Sequence, residues 1–220
     1  MTPYYLLRLL ASILISWLCL SSAVAAPADK PGNMRASLQK LATLLQQKNL
    51  ALLQDRQHIE TIASHYLQND DISEADFNWL KQIAADYRMP PQQRGDQTFF
   101  RDLLLRVDAV PTSLALAQAV MESGLRIGDD HNPFGRHSGK RHETKRFASL
   151  QAAIDDYLKQ LNTGKDYQNF RQQRAQLRSK NRKLNGEALA AALSVYSGRS
   201  KGYIQKLKTT IATHQLAKLD

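Results

Sequence analysis

The chain has 220 residues, a formal net charge of +10 and one cysteine. That length suits one domain with a true core plus an added helical segment, and a lone cysteine excludes a disulfide framework. The basic balance favours anionic partners such as cell-wall polymers, phospholipid head groups or nucleic acid.

Residues 1–25 read as a secretory signal. Arg8 makes the start weakly positive, Leu9 to Leu20 form an apolar run, and Ala23-Val24-Ala25 offer small residues for cleavage after Ala25. This predicts export to the periplasm. The alternative is an uncleaved inner-membrane anchor, although the run is short for a span of about 20 residues. Cys19 lies in this segment, so the mature chain carries no thiol.

Residues 26–90 are predicted to form a helical segment packed on the body, and residues 91–220 the catalytic domain. Leu38, Leu45, Leu52, Ile59 and Tyr66 recur every seven residues, with Leu41 and Ile62 on the same side. The spacing predicts a helix over 34–67. It could also be a coiled-coil arm, but Lys48 and Asp55 interrupt the second apolar position, which favours packing on the body. Ser73 and Asp76 have capping-box spacing ahead of Phe77, Leu80, Ile83, Ala84 and Tyr87, and this helix stops at Pro90-Pro91. "TFFRDLLLRVDAVP" predicts a further helix ending at Pro111, and "PTSLALAQAVMESG" one that starts there.

Periodicity vanishes from Arg126 to Arg146, which reads as a loop or small irregular lobe rich in glycine, histidine and charge. Helices resume behind Ser149 and run through "LQAAIDDYLKQLN", "YQNFRQQRAQL", "GEALAAALSVY" and "YIQKLKTTIATHQL". No β-alternation stands out, so the fold class is all-α with one irregular insert. Residues 165–220 hold twelve Lys and Arg against three acids, which places nearly all of the net charge there. The run Arg171 to Lys183 has no interleaved aromatics for base stacking, so it reads as a solvated helix face and no nucleic acid is expected.

The sequence has no phosphate-cradling glycine loop and no zinc spacing. Asp129, Asp130 and His131 have metal-ligating side chains, but such a polar loop is more often simply solvated; His137 and His142 read the same way. Ser123 suits a helix-end hydrogen bond better than a nucleophile. What stands out is Glu122, a carboxyl at the end of an apolar helix, facing a lobe with Asp129, Asp130 and Glu143. Glycoside hydrolysis needs one carboxyl kept protonated in apolar surroundings and others across a cleft. Leu114, Leu116, Val120 and Met121 are expected to supply those surroundings.

"VDAVPTSLALAQAVMESG" followed by "HNPFG" resembles the active-site signature of the glucosaminidase domains, glycoside hydrolase family 73 and its relatives. "HETKRFASLQAAIDDYLKQLNTGKDYQNFR", "LSVYSGRSKGYIQKLKTTI" and "FNWLKQIAADYR" are similar to the Bax-like branch of that family. Together these blocks run from about Met34 to Ile211. The resemblance implies a lysozyme-like helical domain that cuts peptidoglycan glycan strands at N-acetylglucosamine linkages without metal or cofactor, here expected to act as a monomer. It implies Glu122 as the catalytic acid and Glu143 as a candidate second carboxylate. Asn132, Phe134 and Gly135 match the turn that shapes the cleft floor, and Tyr196 and Tyr203 match late aromatic positions, of which Tyr196 is the better candidate to face the sugar and Tyr203 is equally suited to the core. Two features depart from the branch: "GLRIG" stands where an aromatic-glycine pair is usual, and the lobe is trimmed to "RHSGKR". A lytic transglycosylase and a catalytically inactive wall-binding module are the alternatives, and the basic C-terminal region would hold an anionic wall or membrane surface.

Overall fold

The computed structural model describes residues 31–90, 96–138, 143–193 and 201–220. Residues 1–25, read above as a signal, and His142 and Tyr196 lie outside them. Pro31–Asp220 form one compact unit. It is all-α and consistent with a lysozyme-like domain, with a single two-stranded sheet among the described residues. No helix among them is long and apolar enough to cross a membrane.

Helix α1 (Pro31–Asn69) has no glycine or proline beyond its first turn, and nothing breaks it for 39 residues. Its apolar seam does not protrude as an arm. Leu41, Ala42 and Leu45 enter the larger core, and Ile59, Ile62 and Ala63 enter a second, smaller one. The smaller core is completed by α2 (Glu74–Asp86) and α3 (Gln97–Arg106). Ser73 caps α2 by accepting from the Asp76 N–H, and Asp96 caps α3 by accepting from the Phe99 N–H at 2.6 Å.

Helix α3 stops at Arg106, well before Pro111. The chain instead runs on as a buried connection through Val107 to Val110. Carbonyls freed at a helix end need partners when water is excluded. Arg56 donates to Leu104 O, and Arg174 donates to Leu105 O, Asp108 O and Ala109 O. Asn49 clasps Val110, donating to its carbonyl at 2.7 Å and accepting from its N–H at 3.0 Å. Asp108, 1% exposed, then sits among Arg56, Arg174 and Arg178. The run from Arg171 is a solvated face only in part: Lys180, Arg182 and Lys183 are exposed, but Arg171 and Arg174 are buried and Arg178 forks onto Asp108.

Helix α4 (Thr112–Ser123) is buried along its first eight residues. At its start Ser113 N–H and Oγ–H both donate to the Asp220 carboxylate, at 2.8 and 2.6 Å. The same carboxylate accepts from the Gly186 N–H at the start of α7 (Gly186–Ala190). Helices α5 (Leu150–Thr163), α6 (Gln168–Ser179) and α8 (Lys201–Thr213) complete the larger core around α4. Between α4 and α5, strands β1 (His137–Ser138) and β2 (Glu143–Thr144) pair antiparallel, with Ser138 opposite Glu143. Two-residue strands are too short to leave an alternation in the sequence.

Candidate active site

Helix α4 leaves the core at its last turn. Gly124 takes a left-handed φ of +61° and its N–H bonds back to Val120 O at 2.9 Å, which ends the helix. Ser123 Oγ donates to Ala119 O, a helix-end role. Leu125, within "GLRIG", turns back into the core and is buried.

Glu122 is exposed. The expected apolar pocket around it is not what the fold builds: Leu114 and Leu116 are buried core residues, and Val120 and Met121 pack against the same core. The helix axis explains the difference, because burial along α4 ends one turn before the carboxylate. What Glu122 does have is a wall. Gly135, at φ +57°, lies so close that a Cβ there would be 3.1 Å from Glu122 Oε2.

That wall is a tightly tied turn. Asn132, 5% exposed, donates to Arg136 O at 2.8 Å and Lys145 O at 2.9 Å while its Oδ1 accepts from the Arg136 N–H. Every polar atom of the Asn132 side chain is thus engaged, and the residue braces the lobe. Asp130 accepts from the Asn132 N–H, and His131 Nδ1 meets Phe147 O, so these side chains fold the loop. Phe134 is buried and stacks on Tyr157 with centroids 4.0 Å apart.

The lobe is fastened to α5 through Asp156, which receives Arg136 Nε at 3.0 Å and Lys145 Nζ. Burial alone would raise the Asp156 carboxyl, but the hydrogen bonds from Lys145 and Arg136 outweigh it and hold the group below its ordinary value. Beneath the turn, Tyr157 donates its hydroxyl to Gln118 Oε1 at 2.6 Å, and Gln118 Nε2 donates to Tyr203 Oη at 3.0 Å. Tyr203 is 6% exposed and thus a core residue tying α8 to α4, not a platform for sugar. Gln118 lies one helical turn before Glu122, on the same face of α4. It was missed in the sequence although it is the only polar residue between Leu114 and Met121.

Glu143 is exposed on β2 opposite Ser138. Ser138 is three residues past Gly135, so its Cα lies within about 11 Å of Gly135, and the strand partner adds about 5 Å. The Cα of Glu143 therefore lies within about 16 Å of Gly135 along the lobe. Asp129 is exposed at the lobe's entry. The arrangement is an exposed carboxylate on a rigid helix end, walled by a braced turn, with further carboxylates on the adjoining lobe.

A family model described as Glucosaminidase, mannosyl-glycoprotein endo-beta-N-acetylglucosaminidase, matches residues 99–216. Among curated proteins, Protein bax of Escherichia coli (strain K12) is 28% identical over 182 residues, covering 77% of this chain and 65% of that protein. The chain therefore spans just under two thirds of that relative's length. No solved structure matches it.

Proposed function

The chain belongs to the glucosaminidase family as a Bax-like member, and from that premise we propose that it is an exported glycosidase cutting peptidoglycan glycan strands at the β-1,4 linkages of N-acetylglucosamine. The observation that supports this most is the contact of Gly135 with Glu122, which fixes one carboxyl at the end of a buried helix, beside a lobe carrying others.

In this reading Glu122 protonates the glycosidic oxygen as an oxocarbenium-like state develops. Glu143, or failing it Asp129 or Asp130, activates water. The other route is attack by the substrate's own acetamido oxygen in place of a protein nucleophile. Mass spectrometry of reduced digestion products tests the reading. New ends on N-acetylglucosamine support it; new ends on the lactyl sugar contradict it, and anhydro products make the protein a lytic transglycosylase.

The exposure of Glu122 favours a second reading, a wall-binding module with little or no turnover. Under it, Glu122→Gln leaves sedimentation with purified sacculi unchanged and neither protein releases products.

A further inference from the structure

A cavity of about 430 Å³ lies where the ends of α3 and α5 meet the start of α6. Its wall carries three cations, Arg106, Lys165 and Arg171, and one acid, Asp102. The acid is already paired, with Arg101 at 3.2 Å. Among the described residues no carboxylate lies within ion-pair distance of Arg106, Lys165 or Arg171.

The contrast with Arg174, one turn further along α6, is informative. Arg174 has Asp108 beside it. Arg171 is buried less deeply, at 7% exposure against 1%, and among the described residues it donates to the neutral carbonyls Leu161 O at 3.1 Å and Gly164 O at 2.8 Å. Arg106 donates to Tyr87 O. Burial, and then the positive charge of Arg106, pull the Arg171 guanidinium down to about 10. A buried cation is ordinarily paired, because desolvation without a counter-charge is costly. Here the described residues gather three like charges around a void against one carboxylate, Asp102, which is paired with Arg101. Guanidinium groups and an ammonium converging on one space are the usual means of holding a carboxylate or phosphate. The start of α6 adds partial positive charge to the same space.

Two further features separate these anions. The cavity is far larger than a lone oxyanion, and Gln168 and Gln172 on its wall offer amides to peptide groups. Asp102 also makes it less favourable for a dianion. We propose that this cavity binds the free carboxylate end of a short wall peptide, with the carboxylate between Arg106, Lys165 and Arg171 and the peptide groups on Gln168 and Gln172. The proposal deepens the wall-directed reading and rests on it. Tyr157, beneath the lobe, and Thr163, on the cavity wall, are six residues apart on α5, about 9 Å along its axis. A peptide held there would anchor wall material one short step from the glycan.

The test is calorimetric titration of the full chain with N-acetyl-alanyl-alanine, its C-terminal amide and inorganic phosphate. The acid is expected to bind, with the amide about tenfold weaker or worse. Lys165→Gln, an exposed position, and Arg106→Gln are expected to weaken the acid to a similar degree, whereas Glu122→Gln binds it as the unmodified chain does. Equal binding of acid and amide, tighter binding of phosphate than of the peptide acid, or indifference to Lys165→Gln would overturn the proposal. Peptide binding without glycan cleavage counts against the glycosidase reading alone, and cleavage without peptide binding counts against this site alone.

Discussion

Gly135 closes on the side chain of Glu122: at φ +57°, a Cβ there would lie 3.1 Å from both the Cβ and Oε2 of Glu122, tighter than an ordinary side-chain contact. Gly135→Ala therefore does two things. It costs about 1 kcal/mol for a left-handed alanine, and it pushes the carboxyl aside. Activity on peptidoglycan should fall about tenfold or more, well beyond what the small drop in melting temperature explains, because a displaced catalytic group loses its alignment. Activity within twofold of the unmodified chain would show that the contact does not position Glu122.

The lobe's fastening to α5 should fail in acid. The folded carboxyl of Asp156 lies below its unfolded value of 3.8. Its contribution is thus complete above that value and is lost as the pH falls through the folded value. Asp156→Asn should be less stable than the unmodified chain at neutral pH, and the gap should close below about pH 4. Paired melting curves from pH 7 to 2.5 measure this; a gap that persists at the acid end would mean that Asp156 acts through packing and not through its charge.

Arg174→Met should be severe. The substitution removes a donor from the carbonyls of Leu105, Asp108 and Ala109 and from Asn162 Oδ1, and leaves Asp108, 1% exposed, with Arg56 and Arg178 as its cations. Breaking one member of a buried ion pair typically costs about 3–5 kcal/mol. Urea unfolding gives the number, and a loss under about 1 kcal/mol would show that the network is dispensable.

Asp220 works at a distance in sequence. Its carboxylate caps the starts of both α4 and α7. Asp220→Ala should cost about 1–2 kcal/mol, the range for a lost helix cap. Gly186→Ala should be worse, because its Cβ would fall 2.2 Å from Ser113 Oγ and 2.8 Å from Leu114 N. The same unfolding curves rank the two.

What the sequence revealed followed local chemistry. Ser73 and Ser149 mark helix starts because their hydroxyls accept from the Asp76 and Ala152 N–H groups. The seven-residue spacing in α1 showed a buried seam because that seam enters both cores. The resemblance carried by "VMESG" and "HNPFG" pointed to Glu122 and Gly135, which do meet. Long-range choices were not legible. Helix α3 ends early because arginines from α1 and α6 capture its last carbonyls, and nothing near Arg106 announces Arg56 or Arg174. Tyr203 read equally as core or as a sugar contact because its partner, Gln118, lies 85 residues away. The basic run at Arg171 looked solvated because its counter-groups, Leu161 O, Gly164 O and Asp108, come from other elements.

The most direct measurement is the rate of product release from purified peptidoglycan by the unmodified chain and by Glu122→Gln, at matched folding. A general acid on Glu122 predicts a loss of about a hundredfold or more in the variant. Equal rates in the two proteins would remove Glu122 from the chemistry and contradict the account.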